Sequence, residues 1–274
     1  MILSGTALSE EMLALVQNTV AESGLTPRLA VIQVGSDAAS DIYVSLKSKI
    51  AARVGIALEK FHQDSATTEQ LIELIHSLNE RADVDAILVQ LPLPAGIDTD
   101  AIISAIDPKK DVDGFHPKNI GAYVTGQAVH TPVLLQAIEW LLGKTGEKFS
   151  GKQAVVVGKS DVFLQPLSYL LAFHGMQVSE IKPAELSAEK TRDADVLIVA
   201  TGKPKTITAD MVKDGAIVID IGINRLDDGK IVGDVDFESV QQKAAWITPT
   251  PGGVGPVTIA ALMWNTLRLA LDRS

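Results

Sequence analysis

A tyrosine and a lysine stand four residues apart, Tyr43 and Lys47, inside SDIYVSLKSKI (40–50). On a helix that spacing stacks the phenol and the amine on one face. Ile42, Leu46 and Ile50 would then form an adjoining apolar stripe aimed at a core. A lysine at the edge of such a stripe is partly desolvated, which disfavours its charged form and lowers its pKa. The amine could then take or give a proton near neutral pH. A solvated surface lysine accounts for the same residues more cheaply. Gln90, at the end of the apolar run in DAILVQ, reads equally as a satisfied strand-end amide. Asp111 and Asp113 fit turn formers. A calcium loop fails because a third carboxylate at the right spacing is missing. His116 reads as structural, and the other histidines lack ligand spacing, so no metal is expected.

A second cluster is GKS, Gly158 to Ser160. It follows a β-branched run, where a phosphate would meet a helix start in a nucleotide-binding sheet. A turn glycine beside a solvated lysine explains it as well. A P-loop is rejected, because it needs a glycine where Gln153 stands.

Alternating elements must position these groups. LAVIQVG (29–35), ALEKFH (57–62) and DAILVQLPLP (85–94) read as strands, the last stopped by Pro92 and Pro94. A helix holding Tyr43 and Lys47 closes at VGI (54–56), and TTEQLIELIHSLNE (67–80) forms a second. Residues 107–127 are dense in turn formers and read as a loop joining two domains. A helix over 131–142 leads into a second alternating unit. Its strands are QAVVVGKS, ADVLIVATGKP and GAIVIDIGIN, with FLQPLSYLLAFHG as a helix and a short helix between the last two strands. The end is a glycine-proline loop running into an amphipathic helix from about Val257. The pattern is α/β, with parallel sheets.

The chain has 274 residues, enough for a substantial core without staples. It has no cysteine, which excludes disulfides and thiolate chemistry and fits a reducing cytoplasm. A net charge of −10 argues against nucleic acid or an anionic membrane as partner. The N-terminus does not read as a signal peptide. No window approaches the roughly eighteen uncharged apolar residues of a membrane span.

Four separated stretches carry a resemblance: YVSLKSKIAARVGI, ILVQLPLP, KDVDGFHPKNIG and TPTPGGVGPVTIAAL. With VIDIGIN and VGDVDF they closely resemble the methylenetetrahydrofolate dehydrogenase/methenyltetrahydrofolate cyclohydrolase family, in order over nearly the whole chain. The resemblance implies two α/β domains around a cleft, one of residues 1–120 with 256–274 that binds folate, the other a Rossmann-like domain of residues 121–255. It implies tetrahydrofolate derivatives as substrates, NADP as cofactor (with NAD as the lesser possibility), a homodimer, and a place in one-carbon metabolism and purine biosynthesis. It assigns proton transfer to Lys47, tuned by Gln90. Tyr43 would stack along the pterin and Asp113 accept its N–H groups. Leu91, Pro92, Gly252, Gly253 and Pro256 would line the folate side, their glycines permitting close backbone approach. Gly158, Lys159, Ser160, Thr131 and Ile223 would meet the dinucleotide.

The sequence departs from the family pattern on the cofactor side. His130 stands for a cysteine before Thr131-Pro132, and Leu134 for a glycine. Lys159 replaces an arginine, Leu164 a glycine, and SEIKPAEL lacks a histidine-serine pair. Leu164 would be strained, or would block the pyrophosphate, if its backbone sat at positive φ or touched that group; if the turn has opened and the helix starts later, the leucine caps the domain's core. Three readings follow. They are the bifunctional NADP enzyme, a cyclohydrolase with weak or lost dehydrogenase activity, and a folate-binding protein without turnover.

Overall fold

The computed structural model describes residues 1–273 other than Val129, and the side chains of all of these except Ala38 and Ala39. The chain runs α1 (Gly5–Ser23), β1 (Arg28–Val34), α2 (Ala38–Val54), β2 (Ala57–Gln63), α3 (Thr68–Glu80), β3 (Ala86–Val89), α4 (Thr99–Ala105), α5 (Pro117–Val124) and α6 (Val133–Lys144). It continues as β4 (Gln153–Gly158), α7 (Asp161–Phe173), β5 (Gln177–Ile181), α8 (Ala188–Thr191), β6 (Val196–Ala200), β7 (Ile217–Asp220), β8 (Asn224–Arg225), β9 (Ile231–Val232), α9 (Phe237–Val240), β10 (Trp246–Ile247) and α10 (Val254–Arg273).

The chain divides into two compact units. One holds Glu10–Leu134 and the chain from Ile259 onward; the other holds Met1–Ser9 and Leu135–Thr258. The first is built on a parallel three-stranded sheet, order β2-β1-β3. Parallel strands are covered on both faces, so they read as continuous apolar runs. Accordingly, every residue of β1 after Arg28 is buried. Ala30, Ile32 and Val34 pack against Leu71, Ile75 and Leu78 of α3, spaced four and three along that helix. Thr67 and Gln70 cap α3 reciprocally.

The second unit carries a parallel five-stranded sheet, order β10-β7-β6-β4-β5. Its core joins Val155, Val157, Leu197, Val199 and Val218. The chain's beginning completes one edge: Leu3 donates its N–H to the Ile247 carbonyl at 2.8 Å, and Ile247 returns one to Met1 at 3.1 Å.

Four sequence expectations are corrected. On α2, Ile42 is 63% exposed and Leu46 41%, so that stripe faces away from the core. The buried face is Ser40, Val44, Ala51 and Val54, whose small side chains suit close packing. Residues 107–127 contain α5, started by Pro117 at its first turn behind the His116 cap. The last helix starts at Val254 and is buried on most sides, including Val257, Ala260, Ala261, Met263 and Leu267. That helix is also long and apolar enough to span a membrane by length and composition, but 67% of its apolar window is buried inside the structure, as in a core helix. Of the two readings of Leu164, core packing holds: the residue is 1% exposed and unstrained, although α7 starts before it, at Asp161, rather than later. The N-terminal helix α1 and the short α4 are additional elements.

Candidate active site

The three-stranded unit gathers Lys47, Gln90 and Asp113. Helix α2 starts at Asp37, whose carboxylate accepts the Ser40 N–H at 2.8 Å, and ends at Gly55 in the left-handed region (φ 83°). Between these stops Tyr43 and Lys47 are one turn apart and both half-buried. Gln90 follows β3 directly, its N–H held by the Ile32 carbonyl at 2.8 Å.

Lys47 Nζ donates to Gln90 Oε1 at 2.8 Å. The Gln90 Nε2 donates to the Leu91 carbonyl at 2.7 Å. That second bond fixes which end of the amide faces the amine. Burial pushes the Lys47 pKa below the ordinary lysine value, and the charge of Asp113 opposes that shift. Burial likewise pushes the Asp113 carboxyl up to about 6; Lys47 counteracts it and Asp111 adds to it. Burial also raises the Tyr43 hydroxyl. Lys47 and Asp113 are thus both shifted toward neutrality, which suits proton transfer, whereas Tyr43 is held more firmly as the neutral phenol.

Asp113 is placed by a rigid loop. Lys110 donates to the carbonyls of Leu78 (3.1 Å), Asn79 (2.6 Å) and Arg81 (2.7 Å), closing the end of α3. Asp111 is 2% exposed and accepts N–H groups from Gly114 (3.2 Å) and His116 (2.8 Å) and the Asn119 amide (2.8 Å). The turn-former reading of Asp111 and the structural reading of His116 therefore hold, His116 capping α5 through Nδ1. Gly114 sits at φ +77°, and a Cβ there would lie 2.8 Å from Pro132 Cα, so only glycine fits. From α10, Asn265 donates to the Val112 (3.2 Å) and Thr131 (2.9 Å) carbonyls. His130 Nε2 meets the Asp111 carbonyl at 2.9 Å, and burial lowers its pKa. Asp113 itself lines a small pocket, together with Asp111 and the apolar side chains of Ile87, Val89, Leu91, Ile103 and Phe115.

The other sequence-assigned residues fall elsewhere. Pro92 is exposed beside Leu91, and Thr131 lies in the lysine-bearing unit. Gly252, Gly253 and Pro256 belong to the five-stranded unit. There the close backbone approach serves the chain itself: a Cβ on Gly5 would meet the Gly253 carbonyl, and Thr6 donates its N–H to the Gly252 carbonyl at 3.0 Å.

At the carboxyl edge of the five-stranded sheet, Gly158 ends β4 and Ser160 precedes α7. A Cβ on Gly158 would lie 2.5 Å from the Phe163 ring, so the turn is tight and the start of α7 stands over the strand end. Lys159 and Ser160 are exposed there, and the Lys159 amine lies against Gly202 after β6. Ile223, after β7, is 50% exposed. Helix N–H groups, a cation and an apolar side chain at one sheet edge fit a dinucleotide. Sequence reasoning gave no role to Asn265, Asp220 or Asp234. Most of their partners are backbone groups more than ten residues away, which leave no local pattern.

An α/β protein with a nucleotide-binding sheet in one unit and a buried lysine–amide–carboxylate set in the other has the makings of a dinucleotide-dependent enzyme with acid–base chemistry. Residues 3–113 match the family described as tetrahydrofolate dehydrogenase/cyclohydrolase, catalytic domain, and residues 132–274 the corresponding NAD(P)-binding domain. The chain belongs to the tetrahydrofolate dehydrogenase/cyclohydrolase family. It is 46% identical over 277 residues to the bifunctional protein FolD of Methanoculleus marisnigri, covering 100% of this chain and 98% of that one. The bifunctional FolD structure from Campylobacter jejuni superposes with a TM-score of 0.95 at 41% identity, covering 100% of this chain and 99% of that one. The Trypanosoma brucei enzyme, solved with NADP and an inhibitor, does so at 0.95 and 33%, covering 99% and 97%.

Proposed function

We propose that this protein oxidises 5,10-methylenetetrahydrofolate to 5,10-methenyltetrahydrofolate with NADP, and hydrolyses that product to 10-formyltetrahydrofolate. The observation that carries the reading is the half-buried Lys47 amine, hydrogen-bonded to Gln90 and facing the charge of Asp113. Asp113 binds the pterin through paired N–H groups and Tyr43 stacks along its ring. Leu91, Pro92, Gly252, Gly253 and Pro256 serve the folate. Gly158, Lys159, Ser160, Thr131 and Ile223 hold NADP, with NAD a poorer fit because Lys159 keeps a cation for phosphate. NADP supplies the hydride acceptor.

In hydrolysis, water adds to the methenyl carbon between N5 and N10. Lys47, whose charged form burial disfavours, takes the proton that water loses. Gln90 holds the amine in line through its oriented carbonyl. The resulting ammonium returns that proton to N5 as its bond to the carbon breaks, while the added hydroxyl loses its own proton to solvent and becomes the formyl carbonyl on N10. One water is consumed and one proton released overall. The binding of folate by residues 1–120 with 256–274, of dinucleotide by residues 121–255, a homodimeric assembly, and action in the cytoplasm without nucleic acid or membrane partners complete the reading.

Lys47→Met tests it. The substitution keeps the volume of the stem and removes the proton carrier. Cyclohydrolase turnover should fall by about two orders of magnitude or more, with melting unchanged. Hydrolysis at the wild-type rate would refute the assignment.

A further inference from the structure

Two carboxylates lie buried at the carboxyl edge of the five-stranded sheet, outside the lysine site. Asp220 ends β7 and is 4% exposed; Asp234 is 0% exposed. Asp220 accepts the backbone N–H groups of Gly222 (2.9 Å), Asp234 (3.1 Å) and Val235 (2.9 Å). Asp234 accepts those of Thr201 and Gly202, the latter at 2.9 Å, and the Asn224 amide at 2.8 Å. The two acids thus tie together the exit of β6, the exit of β7 and the segment 233–235. The chain around them is fitted to their volume. A Cβ on Gly233 would lie 1.8 Å from Asp220 Oδ2, and one on Gly222 2.2 Å from the Asp234 carboxyl carbon.

Burying two like charges side by side is expensive, and apolar residues would close the same turns at lower cost. The cost shows in Asp220, whose carboxyl burial pushes up to about 6. What the acids hold in place is outward-facing. Gly202, at φ +65°, carries the Lys159 amine against it. Ile223, half exposed, lies between Gly222 and Asn224, each anchored to one of the two acids. A strand-end residue exposed between two buried anchors is presented to something beyond the chain.

We propose that Asp220, Asp234 and Asn224 form a clasp that positions Gly202 and Ile223 against the nicotinamide dinucleotide. They are positioning residues, set behind the surface that meets the cofactor. The inference rests on the dehydrogenase reading above and adds to it the groups that set cofactor affinity.

The test measures NADP in the full-length protein carrying Asn224→Ala, Asp234→Asn or Ile223→Ala. Asn224→Ala removes one tether and no buried charge, so it tests the clasp if Asp234→Asn folds poorly. Asn224→Ala and Asp234→Asn should each raise the KM for NADP by about tenfold, the scale of one lost charge-assisted hydrogen bond, and change kcat for oxidation by less than about twofold; Ile223→Ala, which removes the apolar contact surface itself, should raise that KM by a similar factor. Melting and cyclohydrolase turnover, which uses no dinucleotide, report on the fold. An unchanged KM in both Asn224→Ala and Ile223→Ala overturns the clasp. So does a parallel loss of melting temperature, cyclohydrolase and NADP affinity in Asn224→Ala, since that marks a purely structural network. A wild-type protein that hydrolyses methenyltetrahydrofolate but neither binds NADP nor oxidises methylenetetrahydrofolate defeats the dehydrogenase reading itself, and this inference with it.

Discussion

Lys47 can carry protons only because its charge is held where charge is costly, and Asp113 shares that condition. The Asp113 carboxyl titrates at about 6, above its ordinary value of 3.8. The folded state therefore holds this proton more tightly than the unfolded chain does. Its contribution to stability is largest at low pH and is lost as pH rises through about 6. At neutral pH the ionised group is a liability to the free protein. Asp113→Asn should raise the stability of the ligand-free protein at pH 7 by about 1–3 kcal/mol, while weakening folate binding by several-fold or more. Melting curves at pH 4 and pH 7 check the first half: the gain should shrink at the lower pH. Calorimetric titration with folate substrate checks the second. Of the site, only the Tyr43–Lys47 spacing was legible as a local pattern; the Lys47–Gln90 hydrogen bond was implied by the family resemblance alone, since the residues themselves fitted a solvated lysine and a strand-end amide equally well. The aim of the neighbouring stripe was not. Ile42 and Leu46 have core-like chemistry, yet Ser40, Val44 and Ala51 face the interior. Helical spacing defines stripes, but only tertiary contact selects the one that is covered.

At the scale of elements, α7 sets the terms of the cofactor turn. Leu164 occupies its first turns and is buried, with a methyl 3.1 Å from where a Gly158 Cβ would be. Leu164→Gly would open a hole and loosen the helix at once, costing about 3–5 kcal/mol. Lys159→Arg acts differently. It adds a fork that grips a phosphate in two places, and should tighten NADP several-fold with little effect on stability. Denaturant melts and NADP titrations of the two single variants separate these effects. A Leu164→Gly protein as stable as the parent would show that the turn tolerates glycine. Lys182, at the end of β5, bonds Asp161 and the Lys159 carbonyl, which places it beside this turn. The central strands and α3 were readable because their apolar patterns are regular, whereas α1, 19 residues long, was not expected from the sequence. Helix α5 was hidden by its own start signals: proline, asparagine and glycine crowd 107–127 and mimic a loop, while Pro117 in fact occupies a first helical turn.

At the scale of the molecule, both units are assembled from distant parts of the chain. Asn265 reaches back 153 residues to Val112 and 134 to Thr131, holding the strand of chain that carries Asp113. Asn265→Ala leaves two buried carbonyls unpaired, at a cost of about 1–3 kcal/mol. Because Asp113 follows Val112 directly, cyclohydrolase should weaken in the same variant, whereas Asn265→Asp, which keeps the shape but offers no donor, should do no better. A variant with normal hydrolysis and normal melting would show that the loop needs no such anchor. The division of α10 has a consequence in time. Its first turn belongs to the five-stranded unit and the remainder to the other, so neither unit is complete until this helix has been made. The edge strand of the larger sheet likewise waits for Met1 to meet residues 245–247. Neither unit can finish alone while synthesis continues. A nascent chain stalled before Val254 should therefore stay open to protease throughout, and acquire resistance in both units together once the final helix is released.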